Sequence, residues 1–153
     1  LAAGLLPMGP GFGMIGAGLR PLLPSAQIAP FLRGLPDDVA FACRDCCEPS
    51  LVFYGARPWA RMESPEQAAR FLDRPGRLLL ALESKQDVED ALAAAWARRR
   101  GASPDPGVET RPEEAALYRS RATVVRRVRG IQLATSERVV LGLYYNPPEG
   151  ERE

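Results

Sequence analysis

Apolar and polar positions along the chain change their period several times, and each change marks an element. Residues 1–24, LAAGLLPMGPGFGMIGAGLRPLLP, are apolar apart from Arg20, but Pro7, Pro10, Pro21 and six glycines interrupt every helical run. The stretch falls short of the roughly 20 uninterrupted apolar residues of a membrane span. It reads as a flexible leader or as a membrane-proximal connector. From Ser25 the pattern turns helical: Ile28, Phe31, Leu32 and Leu35 share a face, Ser25 is the expected N-cap, and the helix should end near Gly34 with Pro30 inside it. After the turn Pro36-Asp37-Asp38, the unbroken apolar run VAFAC (39–43) suits a strand buried on both faces of a parallel sheet. The segment EPSLVFYGA (48–56) carries strand-like side chains, yet Glu48-Pro49-Ser50 opens as a helix does, and a short helix is expected.

Residues 58–62 predict a short strand, and SPEQAARFLDR a helix with Ser64 as cap, Pro65 in the first position and Gln67 closing a capping box. Gly76 ends that element. RLLLALES (77–84) then predicts a strand that leads directly into a helix over 85–100. This helix would bury Val88, Ala91, Leu92, Ala95 and Trp96, with acids early, Arg98, Arg99 and Arg100 late, and Gly101 as its stop. Prolines 104, 106 and 112 make 102–118 an irregular crossing with one helical turn at 113–118. Two β-branched runs, 122–134 and 137–146, flank Thr135-Ser136 and predict an antiparallel hairpin at one edge of the sheet. The expected fold is α/β: a small three-layer sandwich, its sheet mostly parallel, with helices on both faces and a C-terminal antiparallel hairpin. The division is a connector over 1–24, an α/β domain over 25–146 and a disordered tail over 147–153.

The chain's 153 residues give room for one core. Position 1 is Leu with no charged region before the apolar residues, so a fragment is expected. Zero histidines remove Ser-His-Asp and Cys-His sites, histidine-ligated metals and histidine proton shuttles. A net charge of +1 names no partner by itself.

Gly11-Phe12-Gly13-Met14-Ile15-Gly16 matches the dinucleotide fingerprint, with Asp37 downstream, but Pro7 and Pro10 stand where a strand is needed and Pro21 cuts the following helix. No cofactor is expected. Cys43, Cys46 and Cys47 are too few for zinc without histidine, so no metal is expected. If 43–46 stays extended, the Cα atoms of Cys43 and Cys46 stand about 10 Å apart at about 3.3 Å per residue, too far for a disulfide. A turn at Arg44-Asp45 would permit one. The plainest alternative packs Cys43 in the core with the other two near a loop. A nucleophilic Cys46 or Cys47 would lack a histidine to activate it.

Charge is segregated, with ten Arg against five acidic residues between Arg98 and Arg138. Arg126, Arg127 and Arg129 are candidates for an anionic ligand or lipid head group, with a charge-guarded edge strand as the ordinary reading. Glu48 and Arg57 are further surface candidates. No aromatic residues interleave the arginines as nucleic-acid binding would require, and Glu113-Glu114 show no partner that would separate their pKa values. No catalytic residue is expected within the chain. From the residues alone, a stand-alone α/β module binding an anionic ligand or a protein partner is one reading.

Three pieces in order, Glu48-Pro49-Ser50-Leu51-Val52-Phe53-Tyr54-Gly55, the strand over 77–82 and Arg129-Gly130-Ile131-Gln132 through Leu143-Tyr144, resemble the soluble C-terminal domain of bacterial membrane glycosyltransferases. The likeness is to those related to dolichyl-phosphate-mannose protein mannosyltransferases and aminoarabinose transferases, over roughly residues 25–146. Where such domains tend to have a Gly-Phe-Asn-Tyr-Ser-like turn, this chain has Gly130-Ile131-Gln132-Leu133-Ala134. The resemblance implies an extracytoplasmic accessory domain at the periplasmic face of the inner membrane. Its partner would be the membrane domain of the same polypeptide, which binds the polyprenyl-phosphate-linked sugar and carries the catalytic carboxylates. Lipid-linked sugar and acceptor would be met through that parent enzyme. It also implies an oxidising compartment that favours a disulfide among the cysteines.

Overall fold

Leu78, Leu79, Leu80, Ala81 and Leu82 are all buried, and the strand that carries them organises both faces of the sheet. The structure, a computed structural model, describes residues 22–47, 51, 57–103, 107–132 and 135–150. Within these residues it is a mixed α/β fold of one six-stranded sheet and four helices. In chain order the elements are α1 (Pro24–Arg33), β1 (Ala40–Arg44), β2 (Trp59–Arg61), α2 (Pro65–Leu72), β3 (Arg77–Asp87), α3 (Val88–Arg99), β4 (Glu109–Thr110), α4 (Pro112–Arg119), β5 (Thr123–Gln132) and β6 (Glu137–Asn146).

The strand order is β2-β1-β3-β6-β5, with β4 beside β3. Only the β1–β2 and β1–β3 pairings are parallel; β3–β4, β3–β6 and β5–β6 are antiparallel. The sheet is therefore mixed, where a mostly parallel one was expected. The antiparallel hairpin forms at one edge of the sheet as expected, with β5 outermost and β6 between it and β3.

Alternation along the strands divides the core in two. Phe41, Cys43, Leu78, Leu80, Leu82, Leu141 and Leu143 pack with Ile28 and Leu32 of α1 and with Leu51. Ala42, Leu79, Ala81 and Tyr144 pack with Ala68 and Leu72 of α2 and Tyr118 of α4. The expected strand over 39–43 is thus buried on both sides, as its apolar run predicts. Of the segment 48–56, only Leu51 lies within the described residues, buried in the first cluster, so the short helix expected there falls outside them. Of the connector expected over 1–24, residues 1–21 also lie outside, as do the last three residues of the tail, and Pro24 belongs to α1.

Local capping holds at α2, where Ser64 Oγ accepts from the Gln67 amide at 3.2 Å and Gln67 Oε1 accepts in return from the Glu63 amide at 2.8 Å. It fails at α1. That helix begins two residues earlier, with Leu23 at the cap position and Pro24 as its first residue, and Ser25 is buried inside it and makes no cap. At the far end of the hairpin, Asn146 Nδ2 donates to the carbonyls of Leu72 (2.8 Å) and Arg74 (3.1 Å), supplying the donor that the end of α2 lacks. The strand over 77–84 runs on to Asp87, which caps α3 through its carboxylate, so the helix starts at Val88 and not at 85. The face expected to be buried is also rotated: Ala91 and Ala94 turn inward while Leu92 and Trp96 are exposed. The crossing over 102–118 holds β4 and the two-turn helix α4.

Gly130 is required where α1 meets β5. A Cβ there would stand 2.5 Å from the Leu22 carbonyl oxygen and 2.7 Å from the Pro24 ring, and Gln27 Nε2 donates to the neighbouring Arg129 carbonyl at 2.7 Å. Gly130, Ile131 and Gln132 belong to β5, not to the turn. Gly130→Ala is expected to lower stability by about 1–3 kcal/mol through overpacking against a backbone that has little freedom to retreat. Urea unfolding followed by circular dichroism checks this.

Candidate functional site

The chain leaves β1 for β2 on one side and crosses back from β2 to β3 on the other, which makes the carboxyl end of β1 the topological switch of the parallel part of the sheet. In open α/β sheets such a point opens a crevice where ligands settle. Here β1 stops at Arg44, opposite Ala81, and β4 takes the vacated flank of β3 from Ser84. On that flank the Glu83 carbonyl accepts from the Arg111 amide at 2.9 Å, one step beyond the Ser84–Thr110 pair, and so fixes Arg111 over the end of β1, while a β-bulge between Leu82 and Ser84 interrupts the pairing with β6 on the other.

The result is a connected set of charges drawn from four separate segments. Asp45, with φ of 56° in the left-handed region that Asp tolerates better than most residues, turns the chain sharply after β1. Its carboxylate accepts from Arg44 Nη1 at 2.9 Å through one oxygen and from Arg111 through the other. Arg111 also reaches Glu109 at 3.2 Å and Glu114 at 3.7 Å, and Arg44 Nε lies 3.6 Å from Glu114. Lys85, the only lysine in the chain, bridges Glu137 at 3.1 Å and Glu109 at 3.5 Å. A cavity of about 370 Å³ opens beside them, lined by Asp45, Arg61, Lys85, Arg111, Gln132 and Glu137 among others.

The charges set one another's protonation. The Glu137 carboxylate, by hydrogen bond and by charge, holds the Lys85 ammonium above its ordinary pKa. Glu137 is held below the usual carboxylate range by a hydrogen bond from Thr135 and then by Lys85. For Arg111, burial works against the charged form, but the Asp45 hydrogen bond and the surrounding carboxylates more than compensate. Tyr118 donates to Glu114 at 3.0 Å, and its burial, reinforced by that carboxylate, raises its pKa. Every cation of the set faces a carboxylate, so the site offers a polar, preorganised surface. It does not present an unpaired charge.

The cysteines sit at the same turn. The left-handed Asp45 brings Cys47 back to Cys43, and these two form the disulfide, with Cα atoms 5.4 Å apart. Cys46 lies outside it, buried, with its thiol donating to the Leu80 carbonyl at 3.4 Å. A zinc or nucleophile reading of this triplet therefore meets two oxidised sulfurs and one buried thiol.

None of the family models, curated proteins or solved structures compared with this chain matches it.

The surface candidates separate. Arg126 stands opposite Leu143, on the face of the first core cluster, whereas Arg127 and Arg129 stand opposite Gly142 and Val140 on the other. The three do not form one basic patch. Arg127 Nε donates to Glu83 Oε2 at 2.7 Å, and Glu83 Oε1 accepts from the Tyr144 hydroxyl at 2.6 Å. Arg57 donates to the carbonyls of Pro36 (2.6 Å) and Leu35 (3.0 Å), pairs with Asp37 and lies 5.1 Å over the Phe41 ring, so it clamps the turn before β1. Glu48 lies outside the described residues. The sequence pattern did not single out Arg44, Asp45, Lys85, Glu109 or Arg111, nor Glu137 and Glu114 as partners of these cations. The one usable signal was a polar pair, Arg44-Asp45, directly after a strand buried on both sides.

Two outcomes test this description. Alkylation of the native chain should leave all three cysteines unmodified, denaturation without reductant should expose one thiol, and reduction should cost about 2 kcal/mol of stability for so short a loop. Peptide mapping by mass spectrometry and urea titration read these out. A carboxyl whose folded pKa is depressed stabilises the fold fully above its ordinary value of 4.5 and loses that contribution as pH falls through the folded value. Glu137→Gln should therefore flatten the fall of melting temperature between about pH 5 and pH 3.

Proposed function

We propose that this chain is an extracytoplasmic accessory domain of an integral-membrane glycosyltransferase that uses a polyprenyl-phosphate-linked sugar donor. It would support the membrane domain of the same polypeptide, or acceptor access to it, at the periplasmic face of the inner membrane. The reading is carried by the resemblance of three sequence runs to such domains. In its support, the pieces over 77–82 and 129–144 fall on β3, β5 and β6, which are consecutive neighbours in the sheet and form one structural unit. The helices against the two core clusters make the outer layers of a sandwich in this reading. The Cys43–Cys47 disulfide suits an oxidising compartment. The mutual ion pairing at the carboxyl end of β1 suits a scaffold whose chemistry is supplied elsewhere.

A transferase assay with a lipid-linked sugar tests the proposal. The protein carrying its membrane portion should turn over, and the purified 153-residue chain should not. Turnover by this chain alone overturns it, as does a reading frame without hydrophobic spans upstream of Leu1.

A further inference from the structure

Helix α3 buries only small side chains and turns its largest ones outward. Ala91 and Ala94 are its buried residues, whereas Leu92 and Trp96 are 57% and 60% exposed. At about 100° per residue, Trp96 lies about 140° around the helix from Ala91 and about 160° from Ala94, facing away from the sheet. Leu92 is one turn earlier on the same side. More than half of each of these two large side chains faces outward, on a helix otherwise rich in Ala, so the pair adds little to the core.

Charge on the helix is ordered along its axis. Asp87, Glu89 and Asp90 stand at the amino end and Arg98, Arg99 and Arg100 at the carboxyl end, with the Arg99 guanidinium 5.7 Å over the Trp96 ring. None of the ion pairs among the described residues takes up these three arginines. Arg99 and Arg100 fall about 60° and about 40° either side of Trp96, whereas Arg98 turns toward the side of Ala94. A Trp and a Leu on one face flanked by two basic side chains is the composition that settles at a bilayer interface. The indole enters the headgroup region and the guanidinium groups meet lipid phosphates.

We propose that the carboxyl-terminal half of α3 docks on an anionic membrane surface, with Leu92 and Trp96 inserted at headgroup level and Arg99 and Arg100 against the phosphates. The acidic amino end tilts away from the surface, which sets the carboxyl end of the helix as the point of contact. The surface is distinct from the ion-paired crevice, and docking does not depend on the transferase reading, since it needs neither a sugar donor nor turnover.

Co-sedimentation of the 153-residue chain with vesicles tests it, comparing phosphatidylglycerol with phosphatidylcholine. The expected result is binding to the anionic vesicles alone, weakening as salt rises. It should fall at least about tenfold, a loss of about 1.4 kcal/mol, in Leu92→Ser/Trp96→Ser and separately in Arg99→Glu/Arg100→Glu. Both pairs are exposed or at the helix end, and circular dichroism verifies that each variant is folded. In a Trp59→Phe background, where Trp96 is the sole indole, its emission should shift to the blue on vesicle addition. Failure to bind, equal binding to both lipids, or binding that survives the Leu92 and Trp96 changes overturns the proposal. So does a chain that self-associates through this face in the presence of vesicles instead of binding them.

Discussion

The structure depends on one strand being buried on both faces while it pairs in opposite senses on its two flanks. β3 meets parallel β1 on one side and antiparallel β6 on the other, and its five consecutive apolar residues feed the two cores alternately. A polar residue at any of Leu78, Leu79 or Leu80 would leave one layer of helices without a floor. Once those five residues are committed, the strand can become polar only after Leu82. The bulge, the Glu83 bridge to Tyr144 and Arg127, and the docking of Arg111 all occur just there. The change from core to crevice is a change of composition along a single strand.

Much of this architecture was legible because it is local. The unbroken run at 39–43 announced a strand covered on both sides, the run at 78–82 announced a strand, Ser64 and Gln67 announced a helix start, and the β-branched runs around Thr135-Ser136 announced the hairpin. What was not legible depends on partners distant in the chain. Nothing in 137–146 says that β6 lies antiparallel against β3, and that pairing, with β4 beside β3, makes mixed a sheet expected to be mostly parallel outside its hairpin. Helix α3 shows the limit of periodicity: Leu92 and Trp96 make a persuasive apolar stripe, yet the sheet selects the smaller Ala91 and Ala94, which allow closer approach.

The crevice was hidden for a related reason. Arg44, Asp45, Lys85, Glu109, Arg111, Glu114 and Glu137 are ordinary charged residues in sequence, scattered over most of the chain, and only the switch in strand direction gathers them. The cysteines were partly legible. A turn at Arg44-Asp45 was recognised as the condition for a disulfide, but the choice of Cys47 over Cys46 follows from the left-handed backbone at Asp45, which residue identity permits without requiring.

The solitary lysine has a practical side. Nineteen of the twenty basic side chains are arginines, which amine-directed reagents pass over, so such a reagent meets a single side-chain amine, and that amine is already bound to Glu137 and Glu109. Acylating it would remove the cation between two carboxylates and leave them facing each other. Coupling this protein to a surface or a dye through its lysine would thus alter the crevice itself. Cys46, buried in the core, gives no gentle second handle.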